Sequence, residues 1–398
     1  MIRIYNIIIY FVLLVIKTHA LFNNKSKEWV KGRKNIFKKL EDQLINENQI
    51  AWFHCASLGE YEQVKELIHQ YKINYLDCKI LLTFFSPSGY KNFKSNNNID
   101  YVFYLPIDTK KNTQKFIKTV NPKIAFFVKS EFWFNYLNEL SIQKIPTFHI
   151  SSVFRENDFI LNKSFSSDIL KKSTHFFLQD IESEKTLKNK KILNCSVVGD
   201  TRFDAIHSNN QLKISFADIA EFCNKKTTII FASVWPNDEH IFIDFIQKNP
   251  NYNYLVAPHE INYSKKIASK LSSQLYSNYN KKLNNNVLII DSIGILKNLY
   301  KYCSVAYVGG GFGKGIHNIL EASYHNIPVI FGPQHKKFNE AKSLIKINGA
   351  KTIKNYKDFL KSINGIKNWY NTQATKAYFE QNFGASQKVI DYLKTNKL

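Results

Sequence analysis

The feature that most constrains the fold is an alternation. From Ile50 onward, short runs rich in Ile, Val and Phe alternate with longer polar stretches of helical spacing, and each run closes on a turn signal. Such runs are the pattern of strands covered on both faces, and the helical stretches supply the crossovers that parallel neighbours require. The spacing predicts strands at 50–55, 79–83, 101–104, 124–128, 147–150, 175–178 and 196–198. The pattern then restarts, with strands at 228–232, 254–257, 287–290, 305–308, 329–331 and 350–353. Neither half repeats with a short period, which excludes solenoids and propellers. The expected class is α/β, with two Rossmann-like doubly wound lobes facing a central cleft and ligands at the carboxyl ends of their strands. The boundaries follow: a first lobe over 23–208, a linker over 209–226, a second lobe over 227–375, and a C-terminal helix over 376–398 packing back on the first lobe.

Residues 4–16 (IYNIIIYFVLLVI) are almost continuously apolar. As a helix rising about 1.5 Å per residue, this run reaches roughly 20 Å, short of a ~30 Å hydrocarbon core. An apolar anchor helix over 1–22, interfacial or held in one leaflet, is expected. The competing reading is a cleaved signal peptide, with Arg3 as a minimal n-region and Thr18, His19 and Ala20 as a small-residue cleavage site. Against cleavage, Lys17, Lys25, Lys27, Lys31, Arg33, Lys34, Lys38 and Lys39 follow the run, which keeps the body cytoplasmic and places cations against anionic headgroups. Over the whole chain, 55 Lys and Arg outnumber 32 Asp and Glu, a formal charge of +23 that predicts an anionic neighbour. A basic nucleic-acid-binding protein is a remote reading, because the charge is spread along the chain and no zinc finger, RNP aromatic pair or basic helix occurs. Five scattered cysteines without a CxxC pair fit a reducing compartment.

The predicted strand ends carry the residues with chemistry. ASLGE (56–60) closes the first strand, so Glu60 is either a general base at a strand-to-helix turn or a helix-start carboxylate with Ser57 as the cap. Gly59 permits a tight turn close to a ligand. FFSPSGY (84–90) places Ser86 and Ser88 in a turn whose N–H groups either receive an anion or merely connect elements. In KSEFWF, Glu131 is a second cleft carboxylate or a dipole partner, while the aromatics, Trp133 included, are assigned to the core. Ser233 ends a strand ahead of Asp238 and Glu239, which open a helix whose N–H groups can hold a phosphate, and His259 with Glu260 ends another. The glycine-rich VGGGFGKGIHNILEA lets backbone approach a phosphate through Gly309, Gly310, Gly311, Gly313 and Gly315, with His317, Asn318 and Glu321 at helical spacing. It meets neither the dinucleotide fingerprint nor the Walker loop. No DxD or HExxH occurs, so neither a bound metal nor any other cofactor is expected.

WFHCASLGE, LLTFFSPSGY, YLPID, the SEFW segment, VVGDTRFD, VGGGFGKGIHNILEA and FGPQHKKFNEA, in this order, resemble the 3-deoxy-D-manno-octulosonic acid (Kdo) transferases along essentially the whole chain. The resemblance implies a GT-B glycosyltransferase that needs no metal and transfers Kdo from CMP-Kdo to the lipid A precursor, with inversion, at the cytoplasmic face of the inner membrane. It further implies Glu60 as catalytic base, Ser57, Gly59, Ser86, Ser88 and Glu131 on the acceptor side, and Ser233, His259, Gly310, Gly311, Asn318 and Glu321 around CMP-Kdo. Two motifs depart from the family: Pro258 and His259 stand where many members have PRH, and KSEFWF stands for ETELWP. The architecture by itself equally admits another GT-B enzyme, acting on a different nucleotide sugar or epimerising one.

Overall fold

The computed structural model describes residues 2–162, 168–211, 214–283 and 285–398. Two compact units emerge, Met1–Ala205 with Asn382–Leu398, and Ile206–Gln381. The stretch 209–226 is not a bare linker, since it holds the end of a helix Arg202–Gln211 and a second helix Ala217–Asn224.

Unit 1 is built on a seven-stranded parallel sheet: β1 (Ile50–Cys55), β2 (Lys79–Phe84), β3 (Tyr101–Tyr104), β4 (Ile124–Val128), β5 (Thr147–Ser152), β6 (His175–Leu178) and β7 (Cys195–Val197). Their order is β3-β2-β1-β4-β5-β6-β7. Alternate residues of β1 feed different cores: Ala51, Phe53 and Cys55 one, Ile50 and Trp52 the other. That two-sided burial is why its sequence reads as one apolar run. Trp52, fully buried and ringed by Phe116, Phe127 and Tyr136, anchors the second core, and a Trp52→Ala change costs about 3–5 kcal/mol by cavity formation.

The helices of this unit that bear on function are α1 (Ile2–His19), α2 (Asn24–Gly32), α3 (Ile36–Gln43), α4 (Leu58–Asn74), α5 (Pro87–Asn92), α6 (Lys110–Val120) and α7 (Phe134–Ile142). The expectation of an apolar anchor helix over 1–22 needs correction. α1 forms, but Ile9 is buried with Trp29 and Ile107, and Tyr5, Leu13 and Ile16 pack against the same cluster. Its other face leaves Ile4, Ile7, Ile8, Phe11, Leu14 and Val15 exposed. Among the described residues no helix is long and apolar enough to cross a membrane.

The C-terminal helix Ala385–Thr395 belongs to unit 1 and buries Val389, Ile390 and Leu393 in the core beside α4. Asp204, in the VVGDTRFD segment, holds its start by accepting the backbone N–H groups of Gly384 and Ser386, both at 2.6 Å.

Unit 2 repeats the parallel plan with β8 (Thr228–Val234), β9 (Asn253–Pro258), β10 (Gln274–Leu275), β11 (Val287–Ile289), β12 (Val305–Val308), β13 (Val329–Phe331) and β14 (Ala350–Thr352). The order is β10-β11-β9-β8-β12-β13-β14. In each sheet the winding reverses beside the first strand, between β1 and β4 in one and between β8 and β12 in the other, and such switch points leave a crevice beyond the strand ends. The five cysteines are free and buried.

Candidate active site

In unit 1, the residues beyond β1 and β4 come together. Ser57 caps α4, its Oγ accepting the Glu60 N–H at 3.4 Å, while Glu60 Oε2 turns back to accept the Ala56 N–H at 2.5 Å. Gly59 is exposed, and a Cβ there would meet only Ser57 Oγ at 3.9 Å, so the surface beside Glu60 is open. Burial, and then the charge of Glu131, push the Glu60 carboxyl above its ordinary value, while the Ala56 N–H, His54 and Lys129 pull it back. A carboxylate tuned upward is the better proton acceptor near neutral pH.

Glu131 lies outside the first turn of α7, which holds no acidic residue. Its Oε2 accepts the indole N–H of Trp133 at 2.8 Å and lies 3.6 Å from His54 Nε2. Trp133 packs against the core as expected and also, through its indole N–H, belongs to this cluster. Lys129 adopts a left-handed backbone, φ 61°, an uncommon conformation for a residue with a side chain. His54 was not singled out in the sequence, although a histidine inside an apolar strand was the available signal. It is fully buried, with Nδ1 2.9 Å from Thr83 Oγ1, which also accepts the Trp52 indole N–H at 2.8 Å. Ser86 caps α5 through the Gly89 N–H at 3.0 Å, and Ser88 is exposed with its Oγ 3.3 Å away. The Ser86 N–H donates to Ala56 O at 2.9 Å, which knits this turn to the Glu60 turn.

In unit 2, the organising residue is Asp238, which with Glu239 opens the helix Glu239–Lys248 as expected but turns its own carboxylate inward. It is fully buried, and its carboxylate accepts Trp235 N–H at 2.8 Å, Gly310 N–H at 3.0 Å and Tyr307 O–H at 2.7 Å. The Trp235 N–H is thus spent inside the protein. Ser233 sits at a bulge of β8 with φ 52°, and a Cβ on Gly309 would lie 2.5 Å from its carbonyl oxygen. Gly311 likewise meets Gly332 backbone to backbone, with no room for a side chain.

His317 and Asn318 are not helical, because the helix starts only at Leu320. The glycine-rich turn ends first, and Asn318 Oδ1 accepts the Leu320 N–H at 3.1 Å while its Nδ2 donates to Glu321 Oε1 at 3.0 Å. His259 stacks between Trp235 and His317, with ring centroids at 4.4 and 4.3 Å, and the Trp235 indole N–H donates to His317 Nε2 at 2.8 Å. Burial first, and then His259, lower the His317 pKa to about 4, so its ring is neutral and Nε2 is an acceptor. His259 is exposed, and burial lowers its pKa more modestly. Among the described residues no three His, Cys, Asp or Glu side chains group as metal ligands.

Residues 30–205 match the family described as 3-deoxy-D-manno-octulosonic-acid transferase (kdotransferase). A solved putative UDP-N-acetylglucosamine 2-epimerase from Listeria monocytogenes shares the fold, with TM-score 0.63 over 87% of this chain and 96% of its own, at 12% identity. The chain is a glycosyltransferase of two-lobed α/β type. The family it resembles along its length, and whose domain it carries over 30–205, is that of the Kdo transferases. The Kdo transferase of Rickettsia felis is 26% identical over 364 residues, covering 86% of this chain and 77% of its own. A bifunctional glycosyltransferase/methyltransferase of Fusobacterium nucleatum is 24% identical over 85% of this chain, which spans 56% of that relative.

Proposed function

We propose that the protein transfers Kdo from CMP-Kdo to a lipid A precursor, with inversion and without a metal, at the cytoplasmic face of the inner membrane. The observation that carries this reading is Glu60, a half-buried carboxyl with a raised pKa at the end of β1, within a motif that resembles the family's base. In the reaction, an acceptor hydroxyl attacks the anomeric carbon from the face opposite CMP and passes its proton to Glu60. The bond from that carbon to the CMP phosphate oxygen breaks, and its electron pair leaves with CMP. The turn from Gly309 to Gly315, with Asn318 and Glu321, holds the nucleotide. Support for a lipid acceptor comes from unit 1. The exposed apolar face of α1 lies beside a groove of about 930 Å³ that Leu13, Trp29 and Ile107 share with Lys27, Lys31 and Lys34, matching acyl chains and phosphate.

The test is transfer from CMP-Kdo, generated in situ, to a tetraacyl lipid A precursor in detergent, read by mass spectrometry with and without chelator. A product heavier by one or more Kdo units, unchanged by chelator, lost in Glu60→Gln and accompanied by unaltered CMP affinity, is expected. Glu321→Ala should weaken CMP instead. Absence of product from folded, CMP-binding protein would refute the reading, and turnover of another nucleotide sugar would replace it.

A further inference from the structure

We propose that Asp108 is a positioning residue that ties the seating of α1 to the loop carrying Glu131. This rests on the reading of Glu131 as part of the active site, and it starts from how the first turn of α7 is held. The first N–H groups of a helix have no partner within it. In α7, those of Asn135 and Tyr136 donate to Asp108 Oδ2 and Oδ1, each at 3.1 Å. Asp108 lies in the turn before α6, is fully buried, and has no cationic partner among the described residues. Its remaining capacity goes to Thr113 Oγ1 at 3.3 Å and, at 2.5 Å, to the hydroxyl of Tyr5 in α1.

Every residue at the start of α7 has a second hold. The Tyr5 ring packs on Phe134 at 4.6 Å, and the Tyr136 hydroxyl donates to Pro106 O at 3.0 Å. The Asn135 side-chain amide donates to Asp108 O at 2.6 Å and to Asn6 Oδ1, again in α1, at 2.8 Å. Two consecutive residues of α1 therefore close a latch on the helix that begins immediately after Trp133. Trp133 is the residue that caps α7 and donates to Glu131.

The opposite face of α1 is exposed and apolar. Whatever that face rests on bears, through Tyr5 and Asn6, on the carboxylate that repels Glu60.

Tyr5→Phe removes the hydroxyl and keeps the ring; Asn6→Ala removes the second contact. In the full chain, each variant is examined by amide exchange at Asn135 and Tyr136 and by the indole N–H resonance of Trp133. Exchange about ten-fold faster at those two amides is expected, with a shifted Trp133 resonance and unchanged exchange in β1, β4 and unit 2. Unaltered exchange, a stationary Trp133 resonance, or acceleration spread evenly through unit 1 would each overturn the proposal. Neither readout needs sugar transfer, so failure of the transfer assay and failure of the latch are separate results.

Discussion

Asp238 is where a single truncation should cost most relative to its size. Replacing it by alanine leaves three buried donors, the N–H groups of Trp235 and Gly310 and the hydroxyl of Tyr307, facing a methyl group. Hydrogen bonds to a charged group contribute about 1.5–3 kcal/mol each, and an orphaned buried donor costs about 1–3 kcal/mol. The three are coupled through one carboxylate and a water can enter the space left behind, so the sum is not additive; about 3–6 kcal/mol is expected. Asp238→Asn keeps the shape and one acceptor oxygen, and should cost about 1–2 kcal/mol. Urea unfolding followed by Trp235 emission measures the loss in unit 2, and a CMP titration measures the glycine-rich turn. The alanine variant should lose nucleotide affinity at least ten-fold, because Gly310 is no longer tethered. An alanine variant within about 1 kcal/mol of wild type, or no different from the asparagine variant, would refute the argument that this carboxylate organises the turn.

Gly311→Ala places a methyl group 2.6 Å from the Gly332 backbone, whereas the same change at Gly313 meets nothing nearer than 3.6 Å. The first should destabilise by about 1–3 kcal/mol or more and the second by little, so equal melting temperatures would count against the close approach. Because the Glu60 pKa is raised, transfer should fall as pH drops through that raised value. Lys129→Met, which removes a cation that lowers it, should move this acid limb to higher pH, and Glu131→Gln, which removes a like charge, to lower pH. Shifts of one sign in both profiles would contradict the assignment. His317 has a folded pKa of about 4 against an ordinary 6.5, so its contribution to stability is present above 6.5 and lost as pH falls toward 4. His317→Gln should flatten the decline of unfolding free energy over that interval, and an equally steep decline in the variant would exclude it.

The strands were legible because parallel strands buried on both faces write themselves as runs of Ile, Val and Phe, and that signal placed β1, β4, β8 and β12 with their loops. β10 was not legible, since Gln274 and Leu275 form a two-residue strand with no periodicity to detect. The spacing of His317, Asn318 and Glu321 suggested one helical face, yet the glycines before them allow a turn, and Asn318 caps rather than extends. Asp238 and Gly310 lie 72 residues apart, so nothing local marks their hydrogen bond. His54 is similar: its neighbours in sequence are apolar, and only the pairing of β1 with β2 and the fold-back after β4 bring Thr83, Trp133 and Glu131 to it. Local patterns announce elements, while these contacts depend on which strands become neighbours.

The return of residues 382–398 to unit 1 bears on the order in which the chain can fold. Synthesis proceeds from the N-terminus, so every residue of Ile206–Gln381 is made before the helix that fills the slot beside α4. Unit 2, continuous in sequence, can close while translation is still under way. Unit 1, begun earlier, must wait with an apolar gap where Val389, Ile390 and Leu393 will sit. The part of the protein that carries Glu60 is therefore the later to mature, and the interval before its closure is when a growing chain is most open to aggregation or to help from a chaperone.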